Sequence, residues 1–278
     1  MSGLVDAPAT GRPADWIHRT AVLLGEFGGA GAVIERNART ARRGLVVLLS
    51  GFFEPLFYLL SLGVGIGALV GEVHYGGKSF GYQEFIAPAL LAASAMNGAI
   101  ADSTFNVFWK LRYARVYDGM LATPLGPRAV AAGEISWALL RGAGYATAFL
   151  LILLVAGFVR SWWAVLAVPA ATLVGLAFAG AGMAATTFMR SWQDFDLVNL
   201  VVLPLTLLST TFYPLSTYPH ALGLLVQLTP LYHGVELERA LVLGTLDLSV
   251  AVHVLYLLLL GVGGLLLAGR RLERLLLS

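Results

Sequence analysis

Three ionisable side chains lie inside or beside long apolar stretches of this sequence, where charge is costly. Glu54 precedes Pro55, and Arg141 follows Glu134 by two helical turns along the same face. Ionisable groups within a membrane are rare, and they pair with one another or mark paths for ions, protons or substrates. We expect a structural ion pair between Arg141 and either Glu54 or Glu134. The alternatives are contact with a passing charged headgroup and a proton relay.

Residues suited to enzymatic or metal chemistry are sparse. The sequence has no cysteine, which removes thiolate chemistry and cysteine-ligated metals. No two histidines have the spacing of a zinc site on one helix, and no Ser-His-Asp set or carboxylate pair stands out. We therefore assign no catalytic residue and no metal site, and we expect no nucleic-acid partner.

The segment GGKS at residues 76–79 resembles the end of a phosphate-binding loop. Such a loop requires a glycine five residues before Gly77, and that position holds Glu72. The segment also lies in a short connection between two apolar stretches, not at a strand-to-helix turn. The sequence therefore gives no nucleotide site in this connection.

The positions of the charges predict how these residues are held. The chain is 58% hydrophobic and only 12% charged, whereas a soluble domain carries about 25% charged residues. Long uncharged stretches, each near or above the roughly 17–25 residues that cross a hydrocarbon core, predict membrane-spanning helices. The predicted fold is therefore all-α, with helices at residues 44–71, 84–101, 133–158, 163–189, 196–213 and 248–269.

The distribution of basic residues predicts the orientation. Six helices place both termini on the same side, and fourteen of the 18 Lys and Arg residues fall on that side. The opposite side holds only Lys78, Arg160 and Arg239. Because cytoplasmic loops are enriched in Lys and Arg, both termini are predicted to be cytoplasmic.

Two regions outside the spans are apolar but broken. Residues 13–43 mix apolar side chains with arginines and glycines, which predicts one or two helices along the cytoplasmic interface. Residues 214–247 are interrupted by prolines, which predicts short helices dipping into the outer leaflet as a re-entrant hairpin. The predicted organisation is an N-terminal region at 1–43, a transmembrane domain at 44–272 and a tail at 273–278.

The cytoplasmic loop at residues 102–132 carries the most information. It begins as an amphipathic helix and breaks at Thr123-Pro124 and again at Gly126-Pro127. This pattern predicts a rigid helical elbow that projects from the membrane. It is either an ordinary connecting helix or a lever that docks into a partner protein.

This loop ends in MLATPLGPRAVAAGE, which resembles the cytoplasmic-loop signature of ABC-2 type permeases. Three other stretches agree in order and spacing, so that the resemblance covers roughly residues 37–272. It is strongest to the nodulation-factor exporter permeases, with the daunorubicin-type exporter permeases nearby. The three stretches are FFEPLFYLL, FIAPALLAASAMN, and LPLTLLSTTFYPLSTYP followed by LTPLYHGVELERALVLG.

The resemblance implies the six-helix fold of a type V exporter permease in a bacterial inner membrane. It also implies an N-terminal interfacial helix, a coupling helix after the second span and an external hairpin between the fifth and sixth spans. Two permease chains, which we expect to be identical, would work with two copies of a separate ABC ATPase. ATP and Mg²⁺ would be bound by that ATPase, and this chain would bind no cofactor itself.

The resemblance and the predicted helices together nominate two sets of residues. Residues of the cytoplasmic loop would couple to the ATPase: Arg112, Arg115, Val116, Asp118, Met120, Leu121, Thr123 and Pro124. The first, second and fifth spans would line a substrate path, and its residues are chosen by mid-membrane placement and side-chain type: Phe57, Tyr58, Met96, Asn97, Asn199, Thr206, Thr210 and Phe212.

The function that follows is export of an amphiphile, namely a lipid-linked saccharide, a glycolipid or a hydrophobic drug. One rival is a membrane enzyme acting on lipid-linked substrates, which would need acidic or histidine residues converging at one membrane face. A second rival is a transporter driven by an ion gradient, which would favour inverted repeats and broken helices at mid-span.

Overall fold

The computed structural model describes residues 29–41 and 45–277. The predictions for residues 1–28 and 42–44 therefore lie outside the described part of the chain. The elements in order are α1 (Ala30–Ala41), α2 (Leu45–Gly65), α3 (Gly67–Val70), β1 (Glu72–Tyr75), β2 (Lys78–Gly81), α4 (Tyr82–Ala101), π-helical turns at Asp102–Asn106 and Trp109–Tyr113, α5 (Val116–Leu121), α6 (Pro127–Val155), a 3₁₀ turn (Trp162–Leu166), α7 (Ala167–Thr186), α8 (Asp194–Leu208), a 3₁₀ turn (Leu215–Thr217), α9 (His220–Gln227), α10 (Pro230–Leu243) and α11 (Ser249–Leu277).

The all-helical prediction is confirmed. Five helices in the described chain are long and apolar enough to cross a membrane, by length and composition. Their packed faces are rich in alanine, glycine and other small residues, which allow helix backbones to approach closely without a driving force from water. Many of their leucines and valines are exposed instead, as expected for side chains that face lipid.

The closest helix crossing joins α7 to α11 through three glycines. A methyl group added to Gly264 would lie 2.4 Å from the backbone of Gly180, and one added to Gly180 would lie 2.5 Å from the carbonyl oxygen of Gly261. Any larger residue at these positions would push the helices apart. Gly263, the neighbour of Gly264, faces open space.

The connection between α3 and α4 is a β-hairpin that the sequence analysis did not predict. Strands β1 and β2 pair antiparallel, with Tyr75 opposite Lys78. The two turn residues, Gly76 and Gly77, have φ angles of 57° and 74°, which the two-residue hairpin turn requires and glycine adopts readily. The GGKS segment is therefore the turn and the start of the second strand of a β-hairpin, and not a loop before a helix.

The second span is longer than predicted. From Tyr82 to Tyr113 the helix is continuous over 32 residues, or about 48 Å, which exceeds a hydrocarbon core of about 30 Å. Two π-helical turns lie in its last third. The helix breaks at Arg115, which adopts the left-handed conformation with φ 44°. The chain returns through α5, and α6 begins with Pro127 at a position where its missing N–H costs nothing.

The fifth predicted span is shorter than expected. We predicted a helix over residues 196–213, whereas α8 has 15 residues and ends at Leu208. Thr210, two residues later, has a φ of 57°, so the backbone leaves the helical conformation there. The helix is about 22 Å long, and it makes no extensive backbone contact with any other described element.

The region after α8 is helical and compact. Short helices were predicted at 214–247, and α9 and α10 lie there, with α10 buried along most of its length against α4, α7 and α11. Their placement as a re-entrant hairpin in the outer leaflet stays a prediction. Gly244 ends α10 in the left-handed conformation, a common way to terminate a helix.

Candidate functional site

A groove between α2, α4 and α8 brings together half of the predicted path residues. Tyr58 of α2, Asn97 of α4, and Thr206 and Phe212 at the α8 end all line it, together with Glu54. The cavity volume of the groove is about 100 Å³. Four residues chosen from three separate predicted helices therefore lie on one surface.

Polar groups are concentrated in this groove while the surrounding spans are apolar. Asn97 Nδ2 donates to Glu54 Oε1 at 3.3 Å, which leaves the second carboxylate oxygen available. The Thr206 hydroxyl donates to the carbonyl oxygen of Val202 at 3.0 Å and can still accept a hydrogen bond. The groove thus offers acceptors and amide groups to a polar molecule, beside aromatic rings that suit an apolar one.

The remaining predicted path residues do not all share this surface. Phe57 is 64% exposed on α2, next to Tyr58, and Asn199 is exposed on α8 two turns from Thr206. Met96 and Thr210 are fully buried. Met96 fills the helix core and Thr210 belongs to a buried polar cluster, so neither side chain lines the open groove.

The expected partner of Arg141 is also corrected. Arg141 pairs with Asp102, at the start of the first π-helical turn, and with neither Glu54 nor Glu134. The pair faces a second, small cavity between α4, α6 and α7, which has a volume of about 40 Å³ and shares Pro55 and Ser94 with the first groove. The two polar sites thus lie on either side of the α2–α4 contact.

Glu134 belongs to a different buried network. Its Oε2 accepts from Lys110 Nζ at 2.7 Å and from Asn37 Nδ2 at 3.0 Å. The Lys110 and Glu134 side chains are 12% and 4% exposed. Because Asn37 lies on α1, Lys110 on the extension of α4 and Glu134 on α6, this network fastens three helices where they meet α5.

The predicted coupling residues divide into an exposed and a buried group. Arg112, Arg115, Asp118, Thr123 and Pro124 are exposed around the tip of the loop. Val116 and Leu121 are half-buried, and Met120 is buried in the main core. Met120 therefore anchors α5 to the bundle and does not face a partner.

Tyr117 strengthens this anchor from the same helix. Its ring is 1% exposed, and burial raises the pKa of its phenol, which keeps it neutral. The exposed residues of the loop thus lie on or beside α5, whose inner face is packed against the bundle.

Arg239 is a candidate functional residue that the sequence analysis missed. It lies on α10 with no exposed surface. Its guanidinium donates to the carbonyl oxygens of Thr210 and, at 3.1 Å, of Thr211. It also donates to Glu236 at 3.0 Å and to the carbonyl oxygen of Phe85 at 3.2 Å. One side chain therefore ties the end of α8 to α10 and α4. One feature of the sequence could have indicated this role. Glu236 and Arg239 stand three residues apart, a spacing that allows an ion pair on one helix, and they follow a long uncharged stretch.

Comparison with known proteins identifies the family of this architecture. The model of the ABC-2 type transporter family matches residues 30–243. The chain is 31% identical to Nodulation protein J of Sinorhizobium fredii over 266 residues, covering 95% of this chain and 100% of the relative. It is 33% identical to Nodulation protein J of Rhizobium leguminosarum bv. trifolii, covering 80% and 84%. It is also 28% identical to the inner membrane transport permease YadH of Escherichia coli, covering 68% and 73%. The chain therefore belongs to the ABC-2 type transporter family, as a multi-pass transport permease.

Proposed function

We propose that this chain is the permease subunit of an ATP-driven exporter that moves an amphiphile out of the cytoplasm or the inner leaflet. The observation that carries the proposal is the groove in which Glu54, Asn97 and Thr206 lie beside Tyr58 and Phe212. A substrate with a polar headgroup and an apolar tail would find both kinds of contact there. Lipid-linked saccharides, glycolipids and hydrophobic drugs share this chemistry.

The outward face of the groove supports a second permease chain. Glu54 is exposed within a span, and a carboxylate in that position is costly unless it faces water or protein. A second, identical chain packed against α2 and α8 would cover it and would complete a path between the two copies. Both termini would lie in the cytoplasm of a bacterial cell, since the basic residues are concentrated there.

The loop between α4 and α6 supports docking of a separate ABC ATPase. Arg112, Arg115 and Asp118 line a polar depression at its tip. Two ATPase copies would bind ATP and Mg²⁺ and would push this tip as they close. The continuous helix from Tyr82 to Tyr113 would carry that movement toward Asn97.

Reconstituted vesicles test the path. The chain would be purified with the ATPase encoded beside it, and ATP-dependent movement of a fluorescent glycolipid would be measured. We expect Thr206→Val to reduce the rate roughly fivefold, because one hydrogen bond contributes about 1 kcal/mol. The matched control is Thr147→Val, since Thr147 makes the same backbone bond on an exposed face of α6 outside the groove. Equal rates for the two variants would remove the groove from the path.

Capture of the ATPase tests the docking surface. The double variant Arg115→Glu/Asp118→Arg reverses two exposed charges without touching the core, and we expect it to lose the ATPase from a tagged permease. The control is Glu35→Arg, an exposed charge reversal on α1. If the variant retained the ATPase as the control does, docking would lie elsewhere on the cytoplasmic face.

The same vesicles separate the rival functions. Transport that follows an imposed ion gradient without ATP would identify a gradient-driven transporter. Chemical conversion of the glycolipid would identify an enzyme. Among the described residues, no group of three or more His, Cys, Asp or Glu side chains could hold a metal ion for such chemistry.

A further inference from the structure

A second, larger groove separates α8 from the rest of the bundle. It lies on the side of α8 that faces α7 and α11, and its cavity volume is about 830 Å³. Its walls are apolar, with Ala185 on α7, Val201 on α8 and Leu260 on α11 among the lining residues. No described segment of the chain fills it, because α8 stands apart from its neighbours.

The dimensions of this groove match one leaflet of a membrane. Its lining residues on α8 run from Asp194 to Leu205, a rise of about 16 Å at about 1.5 Å per residue. Half of a hydrocarbon core of about 30 Å is about 15 Å. The groove therefore has the length of one lipid chain, extended from the cytoplasmic face to the middle of the bilayer.

The cytoplasmic mouth of the groove is basic. Arg190 lies on its rim, exposed. Arg112 donates to the carbonyl oxygen of Met189 at 3.3 Å, and the Arg271 guanidinium lies 3.7 Å from the centre of the Phe188 ring. Arg112 and Arg271 therefore contact the segment that carries Arg190.

Asp194 is the one carboxylate among the described residues that line this groove, and it is already hydrogen-bonded. Asp194 accepts from the backbone N–H groups of Arg190 at 2.6 Å and Ser191 at 3.0 Å. These bonds hold the turn before α8 and hold the pKa of the Asp194 carboxyl below its usual value. Because these backbone N–H groups already hold the Asp194 carboxylate, the Arg190 guanidinium on the rim suits an anionic group.

We propose that this groove binds an anionic phospholipid of the cytoplasmic leaflet, with one acyl chain between α7 and α8 and its phosphate at Arg190. The occupant follows from an apolar wall one leaflet long and a basic rim at the level of the headgroups. The inference goes beyond the proposed export, because it requires only that the chain lies in a membrane. The bound lipid would support α8, which makes few backbone contacts with the other described elements.

Photolabelling of the full chain tests the proposal. The chain would be purified in nanodiscs that contain a trace of phosphatidylglycerol or phosphatidylcholine with a photoreactive acyl chain. We expect phosphatidylglycerol to label peptides of α7 and α8 at least fivefold more than phosphatidylcholine. Arg190→Gln should reduce that preference by about fivefold, because one arginine near an anionic membrane surface contributes about 1 kcal/mol of attraction. Arg274→Gln, an exposed arginine outside the groove, is the charge-matched control.

Variants whose side chains fill the groove provide the second part of the test. Ala185→Trp places an indole between the helices and should abolish labelling of α7 and α8. If that variant does not fold, Val201→Trp fills the groove from α8 instead. Ala251→Trp, on an exposed face of α11, is the control for the added side-chain volume. Equal labelling by both lipids, or labelling unchanged in a folded Trp variant, would overturn the proposal. So would a cross-linked second copy that occupies the groove and excludes the lipid.

Discussion

The buried pair of Lys110 and Glu134 allows a quantitative test of how α1, α6 and the extension of α4 are held together. We consider the variant Lys110→Met, which keeps the length of the side chain and removes its charge. Glu134 would then remain 4% exposed with only Asn37 as a hydrogen-bond donor. Removing one partner of a buried ion pair costs about 3–5 kcal/mol, because the other charge is left uncompensated.

The double variant Lys110→Met/Glu134→Leu should recover most of this loss, since replacing both charges leaves no isolated carboxylate. Unfolding would be followed by denaturant titration of the purified chain in mixed micelles. The control is Arg39→Met, which breaks an exposed pair with Glu35 and should change the free energy of unfolding by about 0–1 kcal/mol. If Lys110→Met cost no more than Arg39→Met, the pair would not fasten these helices. If the double variant were no more stable than Lys110→Met, the loss would come from packing and not from charge.

Three further substitutions probe other parts of the fold in the same titration. Gly264→Ala should destabilise the chain by about 1–3 kcal/mol, because the added methyl collides with α7 backbone, whereas Gly263→Ala should be neutral or stabilising. Arg239→Lys should cost about 3 kcal/mol or more, since an ammonium cannot reproduce the planar set of bonds, while the exposed Arg160→Lys should change little. Glu238→Leu should be stabilising by about 1–3 kcal/mol, because both carboxylate oxygens are buried without a partner among the described residues.

The apolar stretches, and the glycine and proline residues that interrupt them, predicted the helices well. The second, third, fourth and sixth predicted spans correspond to α4, α6, α7 and α11, because a long uncharged segment has few other stable forms in lipid. The site was predicted in part for the same reason. Asn97 and Thr206 stood out as polar residues inside such segments, and the structure places them in one groove.

Features that depend on helix rotation could not be predicted from the sequence. Which carboxylate meets Arg141 depends on how α4 and α6 are turned toward each other, and Asp102 looked like the end of a span. Met96 lies one residue before Asn97 but faces the core, since adjacent helical residues are about 100° apart. Thr210 was assigned to a helix, but the chain leaves the helical conformation there so that its carbonyl oxygen can accept from Arg239.

The short length of α8 has a consequence for the membrane around the protein. A helix about 22 Å long is about 8 Å shorter than an average hydrocarbon core, and such hydrophobic mismatch is relieved when the bilayer thins beside the helix. In the proposed export of an amphiphile, thinning next to α8 would shorten the distance that a polar headgroup travels between the two leaflets. Vesicles made from lipids with shorter acyl chains should therefore support faster transport. Lipids with longer chains should slow it, because a thicker hydrocarbon core increases the mismatch with α8.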